Sequence, residues 1–158
     1  MRVKIITINN NYPEGVKLIC GKYLKQINGP FNLSLQSIKP SIPHTQRCSD
    51  LIKAKETETS KLNNLIKIKE TLVALDQRGK MITTEGLCGN FKMWMKNGND
   101  ICFIIGGANG LSDEIIDQAD LILSLSHMTM AHSIAIMVLL EQIYRVKTLI
   151  QNHPYHRS

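Results

Sequence analysis

The chain has 158 residues, 43% hydrophobic and 20% charged, with a formal net charge of +6. That balance is ordinary for a soluble globular protein, and the length predicts one domain over residues 1–158. The apolar run from Ile134 to Leu140 is too short to span a bilayer. The amino terminus lacks a signal-peptide pattern, so a cytoplasmic protein is expected. Cys20, Cys48, Cys88 and Cys102 are scattered, without C-x-x-C pairing or zinc-spaced histidines, and are expected to be reduced thiols. Charge is uneven: residues 1–80 hold 14 basic against 6 acidic side chains, residues 81–158 only 5 against 7. The basic half fits either a polyanion-facing surface or a lysine-rich solvated face.

In chain order, VKIITI (3–8) reads as a first strand. Pro13 and Glu14 open a helix that NGP (28–30) stops. FNLSLQSI (31–38) alternates apolar and polar residues, the pattern of a half-buried strand. KPSIPHTQR (39–47) reads as an extended loop, and 49–69 as a polar helix with a narrow apolar stripe. TLVALD (71–76) predicts a strand, QRGK (77–80) a turn, and a helix capped near Thr83 or Thr84 runs to about Lys96. DICFII (100–105) is a buried strand; Ser112 with Asp113 and Glu114 starts a short helix to about Ala119. DLILSL (120–125) is the last strand, SHMTMAH (126–132) a loop, and SIAIMVLLEQIYRVKTLI a helix apolar nearly all round. Such a helix must be covered on several sides, by a core or by a second subunit. Strands alternating with helices predict an α/β fold, a mostly parallel sheet with helices on both faces.

Between the 100–105 strand and its helix lies GGANGL (106–111). Glycines in a strand-to-helix turn let backbone approach a ligand, or else satisfy a turn that needs positive φ. The spacing is wrong for a Rossmann fingerprint, no G-K-[ST] follows for a P-loop, and no G-x-S-x-G elbow marks a hydrolase. His153 and His156 have no nearby Asp, Glu or Cys, so no metal is expected. Three strand ends converge on one edge: Leu75-Asp76, Gly106-Gly107 and Leu125-Ser126. Together they suggest a pocket of backbone amides and apolar edges, suited to adenosine with a small polar tail.

These loops carry a resemblance. LDQRGK (75–80), IIGGANGLSDEI (104–115), LSLSHMTMAH (123–132), LLEQIYRV (139–146) and NHPYHR (152–157) stand in the order and spacing of one family. In them the chain closely resembles the SPOUT-class methyltransferases that modify N3 of a pseudouridine in large-subunit (23S) ribosomal RNA. The resemblance spans essentially the whole chain. It implies a trefoil knot in the carboxy-terminal half and a homodimer with sites at the subunit interface. It implies S-adenosyl-L-methionine as methyl donor, no metal, and 23S rRNA in the assembled ribosome as substrate.

Carried over by position, the donor would be bordered by Leu75, Gly106 and Gly107. Leu125, Ser126, His127, Met128, Thr129 and Met130 would wrap it. His132, Tyr155, His156 and Arg157 match family positions on the acceptor side, with His132 or His156 as candidate proton acceptors. The chain departs from the common family pattern at Ala131 and Ser133, where proline is usual, and at Ile136, where arginine is usual. INNN (8–11) replaces the usual V-G-K. The arginine missing at Ile136 motivates a second reading, a non-catalytic knotted dimer that binds the ribosome or aids its assembly.

Overall fold

A computed structural model describes residues 1–9, 11–27, 29–41 and 48–153. Five strands form one wholly parallel sheet: β1 (Arg2–Ile8), β2 (Asn32–Ile38), β3 (Glu70–Met81), β4 (Asp100–Ile105) and β5 (Leu121–Ser124), in the order β2-β1-β4-β3-β5. Between and after them run α1 (Glu14–Gln26), α2 (Cys48–Asn63), α3 (Thr84–Lys96), α4 (Asp113–Gln118) and α5 (His132–Ile150). The α/β class and the helices on both faces are as the alternating pattern predicts.

Side-chain alternation along the strands builds two cores. Val3, Ile5, Val73, Ile101, Phe103 and Ile105 face α1, α3 and α5. Ile6, Ile8, Leu72, Ala74, Cys102 and Ile104 face α2 and α4. Because every second residue of a strand points the same way, β4 reads as an unbroken apolar run: it is buried on both sides. The first core is anchored by Phe91 of α3, whose ring lies 5.2 Å from Phe31 and 5.5 Å from Trp94. The amino-terminal edge of the sheet is fastened by charge. Arg2 pairs with Asp100, Lys4 bonds Glu70 at 2.8 Å, and the Leu72 amide donates to Asp120 at 2.7 Å. The carboxy-terminal edge is left to loops.

Three boundaries differ from the sequence reading. The polar helix ends at Asn63, not Lys69, and α5 begins at His132. QRGK is not a simple turn, because β3 resumes pairing after it. Leu123 of β5 is opposite Leu75 and again opposite Lys80, so residues 76–79 bulge out between the two pairings. Asp76 shapes the bulge by accepting the Arg78 amide at 2.9 Å. Gly79 then closes it against β5: a Cβ there would lie 2.7 Å from the Ile122 backbone. Among the described residues no helix is long and apolar enough to cross a membrane.

A methyl group at residue 79 cannot be placed without moving β5. Gly79→Ala is expected to destabilise the protein by roughly 1–3 kcal/mol in urea unfolding. Gly89→Ala, in the open middle of α3 with nothing within 4 Å, is the matched control, expected to stabilise by about 0.5–1 kcal/mol. Equal effects from the two would show that the close approach is unimportant.

Candidate functional site

The carboxy-terminal ends of β1, β3, β4 and β5 surround a cavity of about 770 Å³. In parallel α/β sheets this is the edge where ligands bind. Ile8 and Asn9 contribute from β1, Leu75 to Gln77 from the bulge of β3, and Ile105 to Gly110 from the glycine loop. Leu125, Ser126, Met128, Thr129, Met130, Ala131 and His132 close the far side. Of the sequence-predicted donor residues, Leu75, Gly106, Gly107, Leu125, Ser126, Met128, Thr129 and Met130 meet in this one cavity. His127 is exposed and stands outside the lining. Tyr155, His156 and Arg157 lie outside the described residues.

The glycine loop answers its own question differently from the ligand-approach reading. A Cβ on Gly106 would come within 2.8–2.9 Å of the Gly110 and Leu111 backbone, and one on Gly107 within 3.1 Å of Ile8. Gly110 has φ +69°, a conformation that costs a side-chain-bearing residue energy. These glycines are needed by the chain's own folding, as the Gly107 carbonyl accepts the Gly110 amide at 3.0 Å. The tight loop then forms one side of the cavity. Beyond it, Ser112 caps α4, its hydroxyl accepting the Ile115 amide.

The opposite loop is braced by its own hydroxyls. Ser124 Oγ donates to the Ser126 carbonyl, and Ser126 Oγ accepts the Met128 amide at 2.9 Å. Thr129 reaches back to Gln77 in the β3 bulge at 3.4 Å. Helix α2 holds the remaining rim: Thr59 donates to Ser112 Oγ at 2.7 Å, and Glu58 accepts the Ser41 amide at 2.8 Å beside the cavity residue Pro40.

His132 joins three parts of the chain. Its Nδ1 lies 2.8 Å from the Gly106 carbonyl and its Nε2 3.0 Å from the Tyr12 hydroxyl. A carbonyl only accepts, so Nδ1 carries the hydrogen, and the neutral ring accepts the Tyr12 O–H at Nε2. Burial lowers the His132 pKa below its ordinary 6.5, partly opposed by the Gly106 bond. Burial likewise pushes the Tyr12 hydroxyl up, so it stays protonated as the donor. With both nitrogens engaged, His132 is a brace; to accept a proton it would first have to release Tyr12. Tyr12 carries no motif, and its pairing with a residue 120 positions away has no local signal in the sequence.

Among the described residues Asp76 is the one carboxylate lining the cavity. Its hydrogen bonds to the Arg78 guanidinium, at 2.8 and 3.0 Å, hold its pKa below the usual carboxylate value despite partial burial. It is therefore anionic at neutral pH. The rest of the described lining combines apolar side chains with the polar residues Asn9, Gln77, Asn109, Ser126, Thr129 and His132. In the sequence Asp76 stands within LDQRGK, and its one signal there is an acid closing an apolar strand.

Residues 1–156 match a family model described as "Predicted SPOUT methyltransferase". The chain belongs to the SPOUT methyltransferase family. It is 34% identical over 158 residues to the ribosomal RNA large subunit methyltransferase H of Methylobacillus flagellatus, covering all of both chains. Against the protein of that name from Dechloromonas aromatica the identity is also 34%, over 100% of this chain and 99% of the relative. Two solved structures share the fold at low identity. A probable methylase family protein from Haemophilus influenzae has a TM-score of 0.61 at 10% identity, over 99% of this chain and 70% of that one. A probable methyltransferase from Bordetella pertussis gives 0.60 at 13%, over 92% and 94%. The SPOUT resemblance read from the five motifs is thus borne out.

Because His132 is kept neutral in the fold, the unfolded chain binds more protons below pH 6.5. The stability it contributes is complete above that pH and is lost as pH falls toward its depressed folded value. Urea unfolding from pH 8 to pH 5 should therefore show a decline beginning near 6.5, which His132→Asn makes shallower. An identical slope in the variant would remove His132 from the account.

Proposed function

We propose that this protein transfers a methyl group from S-adenosyl-L-methionine to N3 of a pseudouridine in 23S rRNA, acting on the assembled ribosome in the cytoplasm as a homodimer. The observation that carries the reading is the cavity at the carboxy-terminal sheet edge, built by the same loops that hold the family motifs. Its lining suits the donor. Leu75, Ile105, Leu123 and Leu125 offer apolar contact to a nucleoside, exposed loop amides offer hydrogen bonds, and the Asp76 carboxylate complements a cation. A donor with a sulfonium centre supplies an electrophilic methyl group and a neutral leaving group.

The chain's own contribution is alignment, which accounts for much of the rate when the donor is intrinsically reactive. The glycine loop and the 125–131 loop fix the two sides of the cavity. His132 ties the first to α5 and, through Tyr12, to the segment after β1. Removal of the N3 proton falls to His156 or to water, since His132 has both nitrogens engaged and Asp76 is too weak a base. Tyr155, His156 and Arg157 are proposed to cover the acceptor side.

The dimer is supported by what α5 leaves uncovered. Ile134 is 44% exposed beside the cavity, Met128 78%, and Leu18 of the adjoining α1 76%. A second copy over this face would bury them and finish the site. The knot rests on the resemblance, which forms it from the glycine loop and the SLSHMTMAH loop, the two segments that face each other across the cavity. Ile136, at the position where arginine is usual, is fully buried in the core and outside the cavity lining. That observation keeps the second reading, a ribosome-binding protein without turnover, in play.

Two measurements separate the readings: calorimetric donor binding, and methyl transfer to ribosomes from a strain lacking the modification. The enzyme reading expects both, with the product nucleoside identified by mass spectrometry after digestion. Ribosome binding without transfer would favour the non-catalytic reading. Within the enzyme, His156→Ala is expected to lower kcat with donor affinity kept, by roughly the 10²–10⁴-fold of a lost general base. His132→Ala should instead weaken donor binding. The opposite pattern would make His132 the base.

A further inference from the structure

Residues 1–80 hold 14 basic side chains against 6 acidic, and three of the basic ones stand beside cavity residues in three different segments. Lys55 of α2 sets its Nζ 3.3 Å from the Leu111 carbonyl, beside the cavity residue Gly110. Arg78 stands on the β3 bulge, its side chain 62% exposed, held to the cavity residue Asp76 through Nε and Nη2. Lys39 is exposed immediately before Pro40, which lines the same cavity.

The neighbouring acids are largely engaged. Asp76 has both oxygens on Arg78, Glu58 takes the Ser41 amide, and Glu114 accepts from Asn63 and Gln118. Asp113 adds an attraction to Arg78 through space. Arg78 keeps Nη1 for an outer anion, in a guanidinium already oriented by its fork on Asp76. Lys55 spends one N–H on Leu111 and has two more.

Three cations from three segments exceed what the donor's single carboxylate can use, and they repel its sulfonium. They serve an anion that arrives from outside and spans the mouth. We propose that Lys39, Lys55 and Arg78 form a phosphate-binding collar, seating the RNA backbone on either side of the nucleotide whose base enters the cavity. The inference rests on the reading of RNA as acceptor, and it assigns to particular residues the polyanion surface that charge distribution leaves open. The contacts are to phosphodiester oxygens, so they position the strand without reading its sequence. A base projected into a cavity needs its flanking phosphates held, because stacking that held it in the RNA has been given up.

The test is salt-dependent binding of ribosomes, followed by co-sedimentation, alongside KM for ribosomes and calorimetric donor affinity. The variants are Lys55→Gln, which keeps a donor for Leu111, Arg78→Ala and Arg78→Lys. Lys17→Ala and Lys22→Ala on α1, across the sheet, are controls. Each neutralising collar variant should lower the magnitude of the slope of log K against log salt by about one and weaken ribosome binding several-fold, with donor affinity intact in Lys55→Gln, whose side chain does not bond Asp76. Arg78→Lys should retain the slope. An unchanged slope in both neutralising variants, an equal loss in the α1 controls, or a loss of donor binding in Lys55→Gln would each overturn the collar. Co-sedimentation is readable without turnover, so a failure of the methyl-transfer reading shows separately, as wild-type protein that binds ribosomes and modifies nothing.

Discussion

The structure depends on two places where backbone passes backbone too closely for any side chain. At Gly79 the β3 bulge presses on Ile122 of β5, and at Gly106 the glycine loop presses on Gly110 and Leu111. The first lets β5 pair with β3 on both sides of a bulge; the second turns the chain sharply out of β4. Together they leave a hollow at the sheet edge in place of a filled corner. Interiors pack densely, so a few tenths of an ångström at such points is not absorbed elsewhere.

Around that hollow the polar groups divide the work. At the amino-terminal edge, ion pairs such as Lys4 with Glu70 fasten the sheet. At the carboxy-terminal edge, hydrogen bonds fasten loops to one another: Ser126 to Met128, Thr129 to Gln77, Thr59 to Ser112. His132 is the longest-range of these ties, reaching Gly106 and Tyr12 at once. A neutral imidazole suits the task, since one nitrogen donates to a carbonyl and the other accepts from a phenol. Among the described residues the cavity lining holds a single carboxylate, Asp76, paired with the exposed Arg78.

The departures from the family pattern read as local physical facts. Ile136 belongs to the first core, packed with Leu139, Leu140 and Ile143 of the same helix. Ala131 stands at the α5 N-cap without a side-chain hydrogen bond, so the helix start relies on His132 for its anchorage. The shorter α2 also has a purpose visible only in place, bridging the segment before residue 42 to the glycine loop through Glu58 and Thr59.

Periodicity determined the class of the fold and nearly every element, because a strand buried on both faces and a helix with an apolar stripe are local patterns. DICFII and TLVALD needed no partner to be recognised as strands. The five motifs in their spacing determined the family, and with it most of the residues that line the cavity, since Leu75 ends the pairing of β3 with β4 while Gly106 and Leu125 directly follow β4 and β5. Tertiary structure alone decided that QRGK is a bulge inside β3, that Gly106 serves the chain before any ligand, and that Tyr12 occupies His132. Each of these is a distance between segments remote in sequence, set by which backbones can approach, and no window of neighbouring residues contains it.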